Sequence, residues 1–249
     1  MSLLITVSSI APAFATAVNP PDGIGGKNFC TNIDKLGAKL LDKRSKASEK
    51  RRTALAAIET RRTENRTKYA EQRRLTQQKN DARIGEEIDK VAQQAKTEAQ
   101  KDAVAAYRAK LIEARDTYRS SNQAARQKYL TEIDRLTAQN RQTKTTIQSD
   151  YTADVEAAID KAKEKCSTVN PDNKAIRTEF KADLKAALKK YVEAKKQDKG
   201  ISSGMTAATE IRKSQFKDNA AAYKTKREQA RDEMKSSLSS TPALRRNGR

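Results

Sequence analysis

From Cys30 to Cys166 the chain contains no proline, and Gly37 and Gly85 are its only glycines. The residues between are mostly Ala, Lys, Arg, Gln and Glu, all good helix formers, and no breaker interrupts them. The second half of this stretch also repeats. Tyr107, Tyr118, Tyr129, Asn140 and Tyr151 stand eleven residues apart. Four residues after each come Leu111, Asn122, Ile133, Lys144 and Val155, and seven after come Ala114, Ala125, Leu136, Ile147 and Ala158. One stripe therefore recurs every three turns, at about 3.67 residues per turn, close to a relaxed helix and unlike a heptad seam. The expected fold class is all-α: a long helical hairpin or an extended coiled-coil-like rod over 30–166, followed by two further helices.

The core of such a protein must be thin. The chain has four phenylalanines, no tryptophan and a hydrophobic fraction of 36%, so a bulky globular interior is not expected. Histidine is absent, which removes the commonest general base and the commonest metal ligand together. No catalytic residue, metal site or cofactor site is assigned, and an enzyme is not expected. Lys and Arg number 52 against 32 Asp and Glu, a formal charge of +20. A field of that sign attracts polyanions, although acidic residues are interspersed throughout and dilute it.

Residues 1–17 combine a short apolar run with small residues at Ala15 and Ala17, the pattern a signal peptidase cuts after. No Lys or Arg precedes the run, a departure from the usual form. The expectation is an exported protein, whether periplasmic, cell-surface or extracellular. No later segment approaches the roughly twenty apolar residues of a membrane helix. Residues 18–29 hold two prolines and three glycines and read as a flexible leader. Gly26 and Lys27 do not make a phosphate-binding loop, because Pro21 and Asn28 stand where that motif needs Gly and Ser or Thr.

Ile33, Leu36, Leu40 and Leu41 share one helical face, continued by Ala47, Ala54, Leu55 and Ile58. Beyond them, 60–83 is so charged that it reads as a solvated face, held by i,i+4 pairs such as Glu64 with Lys68. Two places offer a turn. One is 80–85, where Asn, Asp and Gly cluster; the other is 95–102, because the register Ile58, Tyr69, Asn80, Val91 fails to continue into Tyr107. Cys30 and Cys166 have residue 98 as their midpoint, so a hairpin folded there joins them at its base. In an exported chain they are expected to pair within one molecule; a bond between two molecules, or free thiols in a reducing compartment, are the alternatives.

Residues 167–174 form a linker, with Asn170 or Asp172 placed to cap the next helix and Pro171 near its start. The segment 175–240 reads as two helices. Ile176, Phe180, Leu184, Ala187, Leu188 and Tyr191 stripe the first, which ends at Gly200. Ala208, Phe216, Tyr223, Ala230, Met234 and Leu238 stripe the second. Residues 241–249 read as a basic disordered tail.

Three roles suit these features. The first is a structural or interaction protein with no chemistry of its own, presenting a basic surface to a protein partner or to itself. The second follows from general plan: being exported, basic and built of long helices, the chain resembles the Skp family of periplasmic chaperones. That resemblance is one of architecture without matched motif residues, and it implies a holdase cleft. The third is binding to a polyanion, either nucleic acid or an anionic membrane surface. The tyrosine stripe is chiefly core, but Arg108 and Arg119 follow Tyr107 and Tyr118, the interleaving that stacking on nucleic acid needs. No small-molecule substrate is expected.

Overall fold

A computed structural model describes residues 28–198 and 200–239. The expected signal peptide, the leader up to residue 27 and the basic tail lie outside the described residues. The described residues form four helices: α1 Phe29–Gln94, α2 Glu98–Cys166, α3 Asn173–Gln197 and α4 Ser202–Ser239. There is no strand among the described residues, and the fold class is all-α.

The chain turns back at 95–97, and α1 runs through the alternative turn at 80–85 without interruption. A capping box fixes the place. The Gln100 side-chain oxygen accepts from the backbone N–H of Lys96 (2.8 Å) and Thr97 (3.2 Å), while the Thr97 hydroxyl accepts from the Gln100 N–H (3.2 Å). The Gln100 N–H, one of the first in α2 and without a partner within the helix, is met in this way, together with two N–H groups of the turn. At the other end, Asp172 caps α3 by accepting from Lys174 and Ala175, each at 3.0 Å. Asn173 lies inside α3, two residues before the segment boundary expected at 175, and its side-chain oxygen accepts from the Cys30 N–H (2.8 Å). Gly200 takes a positive φ of 64°, and its N–H donates to Asp198 (3.0 Å); a side chain there would be strained.

The chain divides into two compact units, Met1–Ala54 with Gln139–Gly200, and Leu55–Ala138 with Ile201–Arg249. Their boundary does not follow the linker 167–174; both α1 and α2 contribute to each unit. In the first, Phe29, Ile33 and Leu36 of α1 bury against Val155 and Ile159 of α2 and Ile176, Phe180 and Leu184 of α3. Phe29 and Phe180 meet with ring centroids 5.6 Å apart. Gly37 permits close approach, since a β-carbon there would stand 2.9 Å from Ile159 Cγ2. Cys30 and Cys166 are joined by a disulfide.

In the second unit Ile88, Val104, Leu111 and Met234 form an apolar cluster beside Ile84, Val91, Tyr107 and Leu238. The remaining packing joins α2 to α4. Leu136 fits over Gly204, Tyr129 lies under the Arg212 guanidinium (4.1 Å), and Asn219 donates to the buried Asn122 (3.0 Å). The stripe on α2 thus faces a third helix in each unit: Leu111, Ala114, Ala125 and Ile133 are buried in the second, and Tyr151 and Val155 in the first. Ile147 and Leu136 are half-buried.

The face that α1 turns inward differs from the one its apolar residues suggest. Ile58 is 52% exposed, and Tyr69 and Leu75 are 39% and 45% exposed. Two other eleven-residue lines are covered instead: Phe29, Leu40, Arg51, Arg62, Arg73, Ile84, Ala95 and Ile33, Arg44, Leu55, Arg66, Gln77, Ile88. The middle of 60–83 is therefore not a wholly solvated face. Its ion pairs run from Arg74 to Glu71 along the helix and from Arg62 and Arg66 across to Asp134, rather than between Glu64 and Lys68. Arginine can occupy an inward line because its methylene stem covers the neighbouring helix while its head reaches a polar partner.

A candidate polyanion groove

The inward arginines of α1 meet acceptors on α2 almost throughout. In the first unit Arg44 lies over the Tyr151 ring (4.1 Å) and donates to its carbonyl (3.2 Å), and Arg51 donates to Gln148 (2.8 Å). Burial lowers the Arg44 pKa, and the neighbouring Tyr151 partly offsets it. In the second unit Arg62 and Arg66 both reach Asp134, at 2.8 and 2.6 Å. The Arg66 hydrogen bond holds the Asp134 carboxyl below its ordinary value. Asp81 reverses the direction of donation, accepting from Arg119 (2.5 and 3.0 Å) and Arg115 (3.1 Å). Its pKa is lowered too, first by the Arg119 bond.

Between these two compensated places the antiparallel register sets Arg73 opposite Arg126. Arg126 stacks on Phe216 (5.0 Å), and its pKa is lowered by burial and then by the charge of Arg73. Among the described residues no carboxylate pairs with either guanidinium. Two like charges facing one another at an incompletely solvated place repel, and an anion between them removes the repulsion.

The helices leave space there. A groove of about 410 Å³ is walled by Tyr69, Gln72, Arg73, Thr76, Gln77, Asn80, Arg83 and Ile84 of α1, by Arg115, Tyr118, Arg119, Asn122 and Arg126 of α2, and by Tyr223 of α4. Among the described residues five arginines line it and no carboxylate does. It exists because α1 has no buried residue between Gly37 and Ile88: long polar side chains on that face hold the wall back instead of filling the seam. Tyr118 and Tyr223 are stacked at 5.1 Å with planes 22° apart. Such a site can hold an anion and a flat ring.

Of the residues the sequence singles out, Tyr69, Asn80, Tyr118, Arg119, Asn122 and Tyr223 line this groove. Tyr107 packs instead into the apolar cluster with Ile88 and Met234, and Arg108 is exposed. Tyr129, Ile133 and Leu136 lie outside the groove lining, and Tyr151, Val155, Cys30 and Cys166 belong to the first unit. Arg73 and Arg126 line it too, although no sequence pattern marks them as a pair. A signal for one exists: Arg51, Arg62 and Arg73 share the eleven-residue spacing of the tyrosines. The chain matches no family model, no curated protein and no solved structure, so its groove is interpreted from its own geometry.

Proposed function

We propose that this chain is an exported, non-enzymatic interaction protein that presents a basic surface to a polyanionic partner, with the arginine–tyrosine groove as the contact. The observation that carries the reading is that Arg73 and Arg126 line one groove with no carboxylate of the described residues paired to either, beside three further lining arginines of which two share one carboxylate. A structural role alone gives no reason to keep that repulsion. Export is supported by the leader-like residues 1–17 and by the disulfide, since such bonds persist in oxidising compartments. No helix of the described residues is long and apolar enough to cross a membrane.

The test is retention on immobilised heparin, followed by the salt dependence of the affinity. The logarithm of affinity should fall linearly with the logarithm of salt concentration, and Arg73→Gln should reduce the slope by about one counterion. A flat salt response, or a slope that Arg73→Gln and Arg126→Gln leave alone, would reject the groove as a polyanion contact. Suppression of client aggregation without any salt-sensitive anion binding would favour the holdase role instead.

A further inference from the structure

We propose, on the basis of that reading, that the polyanion is single-stranded nucleic acid, with a phosphate held between Arg73 and Arg126 and bases stacked on the groove tyrosines. Four observations favour this partner over an acidic glycan or a lipid headgroup. The lining cations are all arginine, although lysine is common elsewhere in the chain. Arginine's planar fork grips phosphate oxygens two at a time, which a lysine point charge does not. Tyr69, Tyr118 and Tyr223 stand among those arginines, an arrangement that accepts base faces without regard to sequence.

Gln72, Gln77 and Asn80 supply both donors and acceptors, as base edges require. The lining residues of α1 run from Tyr69 to Ile84, about 22 Å of helix at 1.5 Å per residue, which follows a strand rather than enclosing a single small molecule. A space of about 410 Å³ admits a flat base beside a phosphate. Acidic sugars would use the arginines, but they have no flat conjugated ring to extend the Tyr118–Tyr223 stack.

Fluorescence anisotropy of the full chain with a labelled oligothymidylate tests this, against the matching duplex, inorganic polyphosphate and heparin. The oligothymidylate should bind saturably and more tightly than polyphosphate or duplex. Arg73→Gln and Arg126→Gln should each weaken it by about tenfold to a hundredfold, as lost charge-assisted bonds do, and Arg73→Lys should restore only part of the loss. Tyr118→Leu should weaken oligothymidylate by about tenfold and heparin by much less. Tyr69→Leu, at an exposed ring outside the packed stack, provides the same comparison with less demand on folding, and circular dichroism checks helix content in every variant.

Equal affinity for oligothymidylate and polyphosphate, or indifference to both tyrosine variants, would overturn the nucleic-acid assignment while leaving the polyanion reading intact. Salt-sensitive heparin retention with no oligothymidylate binding would do the same. Absence of both would overturn the two together.

Discussion

Arg73 and Arg126 line one groove without a carboxylate partner among the described residues, whereas Arg62 and Arg66 share Asp134 and Arg115 and Arg119 share Asp81. Substituting either member of the unpaired set should therefore affect binding and stability with opposite signs. Arg73→Gln in the ligand-free protein should unfold at slightly higher denaturant, by about 0.5 kcal/mol or less at low salt, and the gain should vanish at high salt as screening removes the repulsion. Urea titrations at two ionic strengths read both effects. Asp81→Asn should do the reverse, because it leaves Arg119 without a carboxylate and Arg115 with Asp116 alone.

Acid sensitivity belongs to the same scale. Glu179, between Lys161 and Lys165, has its pKa lowered from 4.5 to about 2, first by its Lys165 bond and then by Lys161. A carboxylate whose folded pKa is depressed contributes its stability above the unfolded value and loses it on acidification. The contribution is complete above about pH 4.5, erodes below that and is gone under about pH 2. Glu179→Gln should flatten this part of a plot of urea midpoint against pH, and wild type that keeps a constant midpoint down to pH 2 would contradict it.

Among elements, α1 shows what composition does and does not reveal. Its helical state is evident from the absence of breakers, and its inward face near the N-terminal end from Ile33, Leu36 and Leu40. Through the middle, burial follows arginine rather than Ile58, and no apolar pattern could show this because the choice depends on what α2 presents across the seam. The turn is legible at the level of residue types: Thr97 and Gln100 form a capping box whose spacing is visible in the chain and decides between the two candidate bends. Asp172 is legible for the same reason. Opposition of Arg73 to Arg126 is not, since it requires the pairing register.

The two glycines of α1 should behave oppositely. Gly85 has nothing within 4 Å of the place a methyl group would occupy, so Gly85→Ala should stabilise by about 0.5–1 kcal/mol through helix propensity alone. Gly37→Ala would push against a branched methyl of Ile159 at 2.9 Å, and overpacking of that kind costs about 1–3 kcal/mol. Thermal melts of the two variants should move in opposite directions.

For the whole molecule, the disulfide and the charge matter most. Cys30 and Cys166 are 136 residues apart, and closing so long a loop restricts the unfolded chain by about 4–5 kcal/mol in the chain-entropy view. With few bulky residues to bury, that is a large share of the stability of a typical domain. Reduction, or Cys30→Ser with Cys166→Ser, should lower the urea midpoint sharply, and an unchanged midpoint would show that packing alone suffices.

Each unit also draws on stretches far apart in the chain, since α3 completes the first and α4 the second. Neither can be excised as a continuous fragment. A ribosome that has released the chain only as far as Gly200 has supplied every segment of the first unit, whereas Tyr118, Asn122 and Tyr129 still await Tyr223, Asn219 and Arg212. Any capacity lodged in the second unit is thus withheld from nascent or C-terminally clipped molecules.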